Sequence, residues 1–249
     1  MRETLYGRNP VYECLRAGRR KVYKLAVATG AQEKGTLADA IALAKERKVH
    51  IERVERRQLD AMSGGPNHQG VVAEVGDYLY ANLEDILNVA SERHEQPWLL
   101  LLDCLQDPQN LGTLLRTAEI VGIHGAVIPE RRAAEVTPAV SSASSGAAEH
   151  MLVARVVNLV QTMEQLKQGG IWIAGIEALP RAQVVWQADL GGALALVVGS
   201  EGQGMRRLVA ETCDFVVYLP MRGHVNSLNA AVAGSVVLYE AARQRWGAE

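Results

Sequence analysis

Aromatic side chains make up only 5% of this 249-residue chain, and Phe215 is its single phenylalanine. A platform of rings for stacking bases is therefore not evident, and a nucleic acid would be recognised by shape and phosphate, with a target nucleotide splayed from its helix. Cysteine is equally sparse: Cys14, Cys104 and Cys213 are odd in number and form no C-x-x-C pair. That argues against both a disulfide framework and a zinc site. Histidine offers no substitute, because His68, His124, His150 and His224 are dispersed without ligand spacing, and no metal is expected. No apolar run reaches the length of a membrane span, and the opening MRETLYGRNP lacks the apolar core of a secretory signal. We therefore expect a cytoplasmic protein with no membrane partner. Nor does a G-x-G-x-x-G follow the apolar run WLLLLD, which argues against a dinucleotide-dependent oxidoreductase, and no G-x-S-x-G elbow frames the serines of SSASSG.

Net charge is also nearly absent, at -2, but the charges are unevenly spread. Up to Arg57 the chain holds 14 Lys and Arg against 7 Asp and Glu, leaving 12 against 21 for the rest. A basic first segment on an acidic body suits a first domain that holds RNA phosphates; ordinary solvated helix faces account for it equally well.

What is present is length and hydrophobicity, with 48% apolar residues, enough for one full core and a smaller second domain. Asn9 as cap, Pro10 at the first helical position and Gly18 after the end predict a short helix over NPVYECLRAG. VYKLAVA, VHIERV and GVVAEV read as strands, separated by helices at GTLADAIALAKERK and RRQLDAMSGG, a compact unit over 1–76. The polar stretch 77–96, with one weakly amphipathic helix in NLEDILNVASER, reads as a linker. From 97 to 249 strands at WLLLLD, GAVIP, LVARV, IWIAGI, LALVVG and FVVYLP alternate with helices, the last from Ser227 to about Arg245, which predicts an α/β domain with a mostly parallel sheet.

Such sheets bind ligands beyond the carboxyl ends of their strands. Three loops at those ends are unusual: DCLQDPQNLGTLLR, with Asn110 and Arg116; VVGSEGQGM, with Gly199 and Glu201; and LPMRGHVNSLNAAV, with Ser227. Singly, each has a structural reading, Asn110 and Ser227 as helix caps, the glycines as turns and Arg116 as a surface residue. Jointly they combine glycine with a polar side chain at the same kind of strand end.

NLGTLLR, GSEGQG and LPMRGHVNSLN, in that order, resemble the three motifs of the SpoU branch of the SPOUT RNA methyltransferases. The first unit, with YGRNPVYECL and the HQG at 68–70, resembles the small L30e-like RNA-binding domain of members that modify large-subunit ribosomal RNA. The resemblance implies a deep trefoil knot in the second domain, a homodimer whose second subunit completes the site, and S-adenosylmethionine as methyl donor. Carried over, Gly199, Leu219, Met221 and Leu228 would hold the cofactor; Glu201, Ser227 and Asn229 would shape the pocket and orient the hydroxyl; Asn110 would support the loop that holds Arg116. The family proposal makes Arg116 the base. Because an arginine side chain is normally protonated, two versions stay open, a deprotonated Arg116 in a dry cationic site and a charged one that fixes phosphate and stabilises the developing alkoxide. Arg131 and Arg132 are either phosphate contacts or solvated surface.

The implied activity is 2′-O-ribose methylation of a guanosine of large-subunit ribosomal RNA in the peptidyl-transferase region. A transfer RNA ribose methyltransferase is the nearest alternative, although such members generally lack the L30e-like domain. A catalytically silent RNA-binding or assembly factor is the other, which the intact Asn110, Arg116, Glu201, Ser227 and Asn229 speak against.

Overall fold

The computed structural model describes residues 2–247, so the predicted domain ends at Met1 and Glu249 lie outside the described residues. The chain forms two compact units. One comprises Met1–Leu79 with Glu135–His150, the other Tyr80–Ala134 with Met151–Glu249. The expectation of two continuous domains, 1–76 and 97–249 around a linker, thus meets a chain whose first unit borrows a segment from far downstream.

The first unit begins with β1 (Arg2–Tyr6), a strand that sequence patterning did not predict, and α1 (Arg8–Ala17). Gly7 precedes α1 with φ +93° and Gly18 ends it in the left-handed conformation, so Asn9 lies inside the first turn and is not the predicted cap. There follow β2 (Val22–Ala28), α2 (Thr36–Glu46), β3 (His50–Val54), α3 (Arg56–Ser63) and β4 (Val71–Gly76). The sheet order is β1-β4-β2-β3, antiparallel except for β2 with β3. Leu15, Leu25, Leu37 and Ile41 pack on one face under α1 and α2, and Leu59 of α3 covers Ala26 and Val72 on the other. The borrowed segment is anchored by charge. The Arg20 guanidinium, almost fully buried, pairs with Glu149, itself buried, and with Glu3, while Ser141 Oγ donates to Glu149 at 2.7 Å.

The predicted linker, 77–96, belongs to the second unit from Tyr80 onward. Its helix α4 (Leu83–Glu92) is capped reciprocally by Asn82 and Asp85, and Ile86 is fully buried beside Leu99 and Leu101. After β5 (Trp98–Leu102) come α5 (Pro108–Val121), β6 (Gly125–Pro129), α6 (Pro138–Ala143, within the borrowed segment), β7 (Val153–Val156), α7 (Leu159–Gln168) and β8 (Trp172–Ile176). The two-residue β9 (Gln183–Val184), also not predicted, leads to β10 (Leu194–Val198), α8 (Arg207–Thr212), β11 (Phe215–Tyr218) and α9 (Ala230–Trp246). All seven strands run parallel in the order β7-β6-β5-β10-β8-β11-β9, so the α/β fold class and the mostly parallel sheet are as expected. Near-continuous apolar strands such as WLLLL and LALVV are buried along their whole length, as a doubly covered sheet demands.

The chain winds outward from β5 through β6 and β7, restarts at β8 on the other side, then inserts β10 between β5 and β8. That reversal makes a crevice beyond the carboxyl ends of the central strands. Against one face α5 and α9 pack closely, with Gly234 of α9 lying so near Leu114 and Val198 that a Cβ there would come within 2.6 Å of Leu114 Cδ2. Among the described residues no helix is long and apolar enough to cross a membrane, and no group of His, Cys, Asp and Glu is placed to hold a metal ion.

Candidate functional site

The crevice is a cleft of about 550 Å³ in the second unit, walled by the loops that follow β8, β10 and β11 and by the start of α9. All four residues expected to hold a cofactor line it: Gly199, Leu219, Met221 and Leu228. Glu201 and Ser227 line it as well, whereas Asn110, Asn229 and Arg116 do not.

Asn110 and Asn229 nonetheless belong to the same constellation. Asn110 Nδ2 donates to Glu201 Oε1 at 2.7 Å, and Asn229 Nδ2 donates to Asn110 Oδ1 at 2.9 Å. One residue from each of the three motifs thus joins a single hydrogen-bonded chain. Its far end is tied to the backbone, since Asn229 Oδ1 accepts from the N–H groups of Ala231 and Val232 and so caps α9. The predicted capping role of Asn110 falls instead to Asp107, whose carboxylate accepts from Gln109 N, with Pro108 opening α5. Asn110 sits within the first turn, mostly buried, and its side chain is released for the bridge. Likewise α9 starts at Ala230, so Ser227 belongs to the exposed loop and not to a helix end.

The loop 199–206 is a tight hairpin. Ser200 N donates to Gly204 O at 3.0 Å and Gly204 N returns to Ser200 O at 3.1 Å, with Gly202 and Gly204 at φ +76° and +68°. Side chains rarely adopt those angles, which accounts for glycine at both positions. Gly199 is buried at the hairpin base, where a Cβ would strike the backbone of Gly204. Glu201 stands exposed near the tip.

Arg116 lies six residues beyond Asn110 on α5, exposed, and outside the lining of the cleft. Arg131 and Arg132 follow β6 and are exposed; Arg132 has φ +60°. His224 is exposed in the loop after β11.

The lining suits an adenosine joined to a sulfonium. Ile176, Val198, Leu219 and Leu228 offer an apolar slot, and the loop backbones offer hydrogen-bond partners. The charged side chains of the lining are Glu177 and Glu201, with no Lys or Arg among them. Sequence reasoning missed Glu177. It follows β8, whose place between β10 and β11 no local pattern discloses.

Residues 97–239 match the model of the SpoU rRNA Methylase family, and residues 4–81 match that of RNA 2′-O ribose methyltransferase substrate binding. A Bacillus subtilis (strain 168) protein named as TrmH family tRNA/rRNA methyltransferase YacO is 50% identical over 96% of this chain and 94% of its own. The crystal structure of the SpoU methyltransferase AviRb from Streptomyces viridochromogenes, in complex with AdoMet, superposes with a TM-score of 0.80 at 25% identity, covering 99% of this chain and 91% of that one. The A. aeolicus TrmH/SpoU tRNA modifying enzyme matches with a TM-score of 0.57 at 24% identity, covering 66% of this chain and 85% of its own.

Proposed function

This chain belongs to the SpoU family of RNA methyltransferases, with S-adenosylmethionine as methyl donor, and from that premise we propose that it methylates a ribose 2′-hydroxyl of large-subunit ribosomal RNA in the cytoplasm, on a guanosine of the peptidyl-transferase region. The observation that carries the proposal is the Asn229–Asn110–Glu201 chain beside a cleft lined by carboxylates and apolar groups. Ribosomal RNA is favoured over transfer RNA because residues 97–239 match the SpoU rRNA Methylase family and because the first unit resembles the L30e-like domain of members that modify large-subunit ribosomal RNA.

In this reading the bound cofactor supplies an electrophilic methyl group, and the chain's residues do the rest. Gly199, Leu219, Met221 and Leu228 hold the donor. Glu201 and Ser227 face the cleft and orient the incoming hydroxyl, and Asn110 and Asn229 keep Glu201 in place. Alignment of this kind is worth several powers of ten in rate.

Arg116 completes the site from a second copy of the chain. It is exposed on α5 outside its own cleft, and the neighbouring surface carries exposed Ile120 of α5 with Val232, Val236 and Tyr239 of α9, an apolar face suited to self-association. The knot expected of the family belongs to the same proposal.

Mapping ribose methylation in ribosomal and transfer RNA from cells with and without the protein tests the substrate. One large-subunit guanosine is expected to lose its methyl group; a loss confined to transfer RNA would refute the ribosomal assignment. Arg116→Ala is expected to abolish turnover while calorimetry still records cofactor binding. Full activity in that variant removes Arg116 from the mechanism.

A further inference from the structure

Two carboxylates outside the three motifs clamp the hairpin that carries Glu201. Asp103, the residue after β5, is fully buried. Its Oδ2 accepts from Arg206 N at 2.7 Å and its Oδ1 from Arg206 Nε at 2.7 Å. Glu177, the residue after β8, accepts from Met205 N with Oε2 at 3.1 Å, and its carboxylate lies so close to Gly204 that any side chain there would strike it. Two consecutive backbone N–H groups at the hairpin exit are therefore each met by a carboxylate from the end of a different strand flanking β10. Burying Asp103 is costly unless it is fully paired, and here the Arg206 guanidinium and backbone together satisfy both oxygens.

We propose that Asp103 and Glu177 are positioning residues that set the hairpin 199–206 in the geometry the methyl donor needs. The reading rests on this cleft being the methyl-transfer site. Clamped at its exit, the hairpin presents its buried base, Gly199, to the donor and its tip residue, Glu201, to Asn110. Unclamped, the glycines at 202 and 204 leave the loop many conformations, and the donor would have to order it on binding. The cost falls on cofactor affinity.

The test uses the full chain, with S-adenosylhomocysteine binding by calorimetry and methyl-transfer kinetics side by side. Glu177→Ala is expected to weaken binding and raise the KM for S-adenosylmethionine about tenfold, in line with loss of a charge-assisted hydrogen bond, with kcat changed less than about threefold. Glu177→Gln keeps an acceptor oxygen for Met205 N and is expected to restore affinity to within about threefold of the parent. Asp103→Asn sets an NH₂ group against donors and is expected to weaken binding like Glu177→Ala; should it fail to fold, the Glu177 pair decides alone. Parental affinity in Glu177→Ala overturns the proposal, as does Glu177→Gln losing as much as Glu177→Ala, which would mean that the carboxylate charge itself holds the donor. A parent protein that binds S-adenosylhomocysteine but methylates no ribosomal RNA overturns the substrate reading and leaves the affinity comparison standing.

Discussion

At the scale of single residues, Asn110 shows how one side chain is diverted from helix capping to a bridge between two loops. The sequence D-P-Q-N contains two candidate caps, and Pro at the first helical position already marks Asp107 as the better one. Freed from that task, Asn110 accepts from Asn229 and donates to Glu201, a pairing that uses both ends of its amide. Asn110→Asp replaces the donor by a second acceptor facing a carboxylate, so a fall in methyl transfer of about tenfold or more is expected in a folded protein. Parental activity would show the bridge to be idle. The cysteines differ by environment. Burial pushes the Cys14 thiol well above the ordinary range and that of Cys213 up to about 12, while half-buried Cys104 is raised less. A thiol reagent at neutral pH is expected to label Cys104 first and the others only on unfolding.

His124 carries a pH dependence of known sign. Burial holds its pKa below the usual imidazole value, helped by Arg93 and Arg245 and opposed by the Glu95 carboxylate. Its Nδ1 accepts from Trp98 N at 3.0 Å, a role only the neutral ring can fill, with Nε2 beside Glu95 Oε2 at 2.8 Å. The resulting stability is present above about pH 6.5, the unfolded value, and is lost as pH falls through the depressed one. The Tm is thus expected to fall below that pH in the parent and to fall less steeply in His124→Gln.

At the scale of elements, legibility followed burial pattern. Strands buried on both faces announce themselves as apolar runs, and β2 and β6 coincide with the predicted segments at both ends. By contrast β1 is half-exposed with a charged residue at each of its first two positions, and β9 is only two residues long, so neither carries a local signal. The helix α4 was readable as a helix but not as core, because its exposed face is polar and the glycine that receives Ile86 is Gly125, far along the chain in β6. At Gly125 a Cβ would lie 2.6 Å from Ile86, so strand and helix meet at near-backbone distance. Ile86→Ala is expected to cost about 2–5 kcal/mol, read by denaturant titration. Gly234→Val, forcing a branched side chain between Leu114 and Val198, is expected to lower the Tm by separating α5 from α9.

At the scale of the molecule, the convergence of three distant loops was legible from their shared strand-end placement, whereas the insertion of β10 that draws Glu177 between them was not, because strand order is a long-range property. The shared-site proposal predicts complementation. Arg116→Ala and Glu201→Ala, each inactive alone, are expected to recover about a quarter of parental activity when unfolded and refolded together, since half the dimers then hold one intact site. No recovery would place both residues in one chain's site.

The borrowed segment Glu135–His150 bears on how this chain is made. Residues leave a ribosome in order, and an ordinary first domain can close before the second is translated. Here the sheet β1-β4-β2-β3 is finished at Gly76, but Glu149, the partner of buried Arg20, is synthesised only after β5 and β6. Until then a guanidinium destined for the interior has Glu3 beside it but lacks the second, buried carboxylate that completes its pairing. Nascent chains arrested between those two points should therefore remain more open to protease in their amino-terminal third, and gain resistance once His150 has emerged from the ribosome.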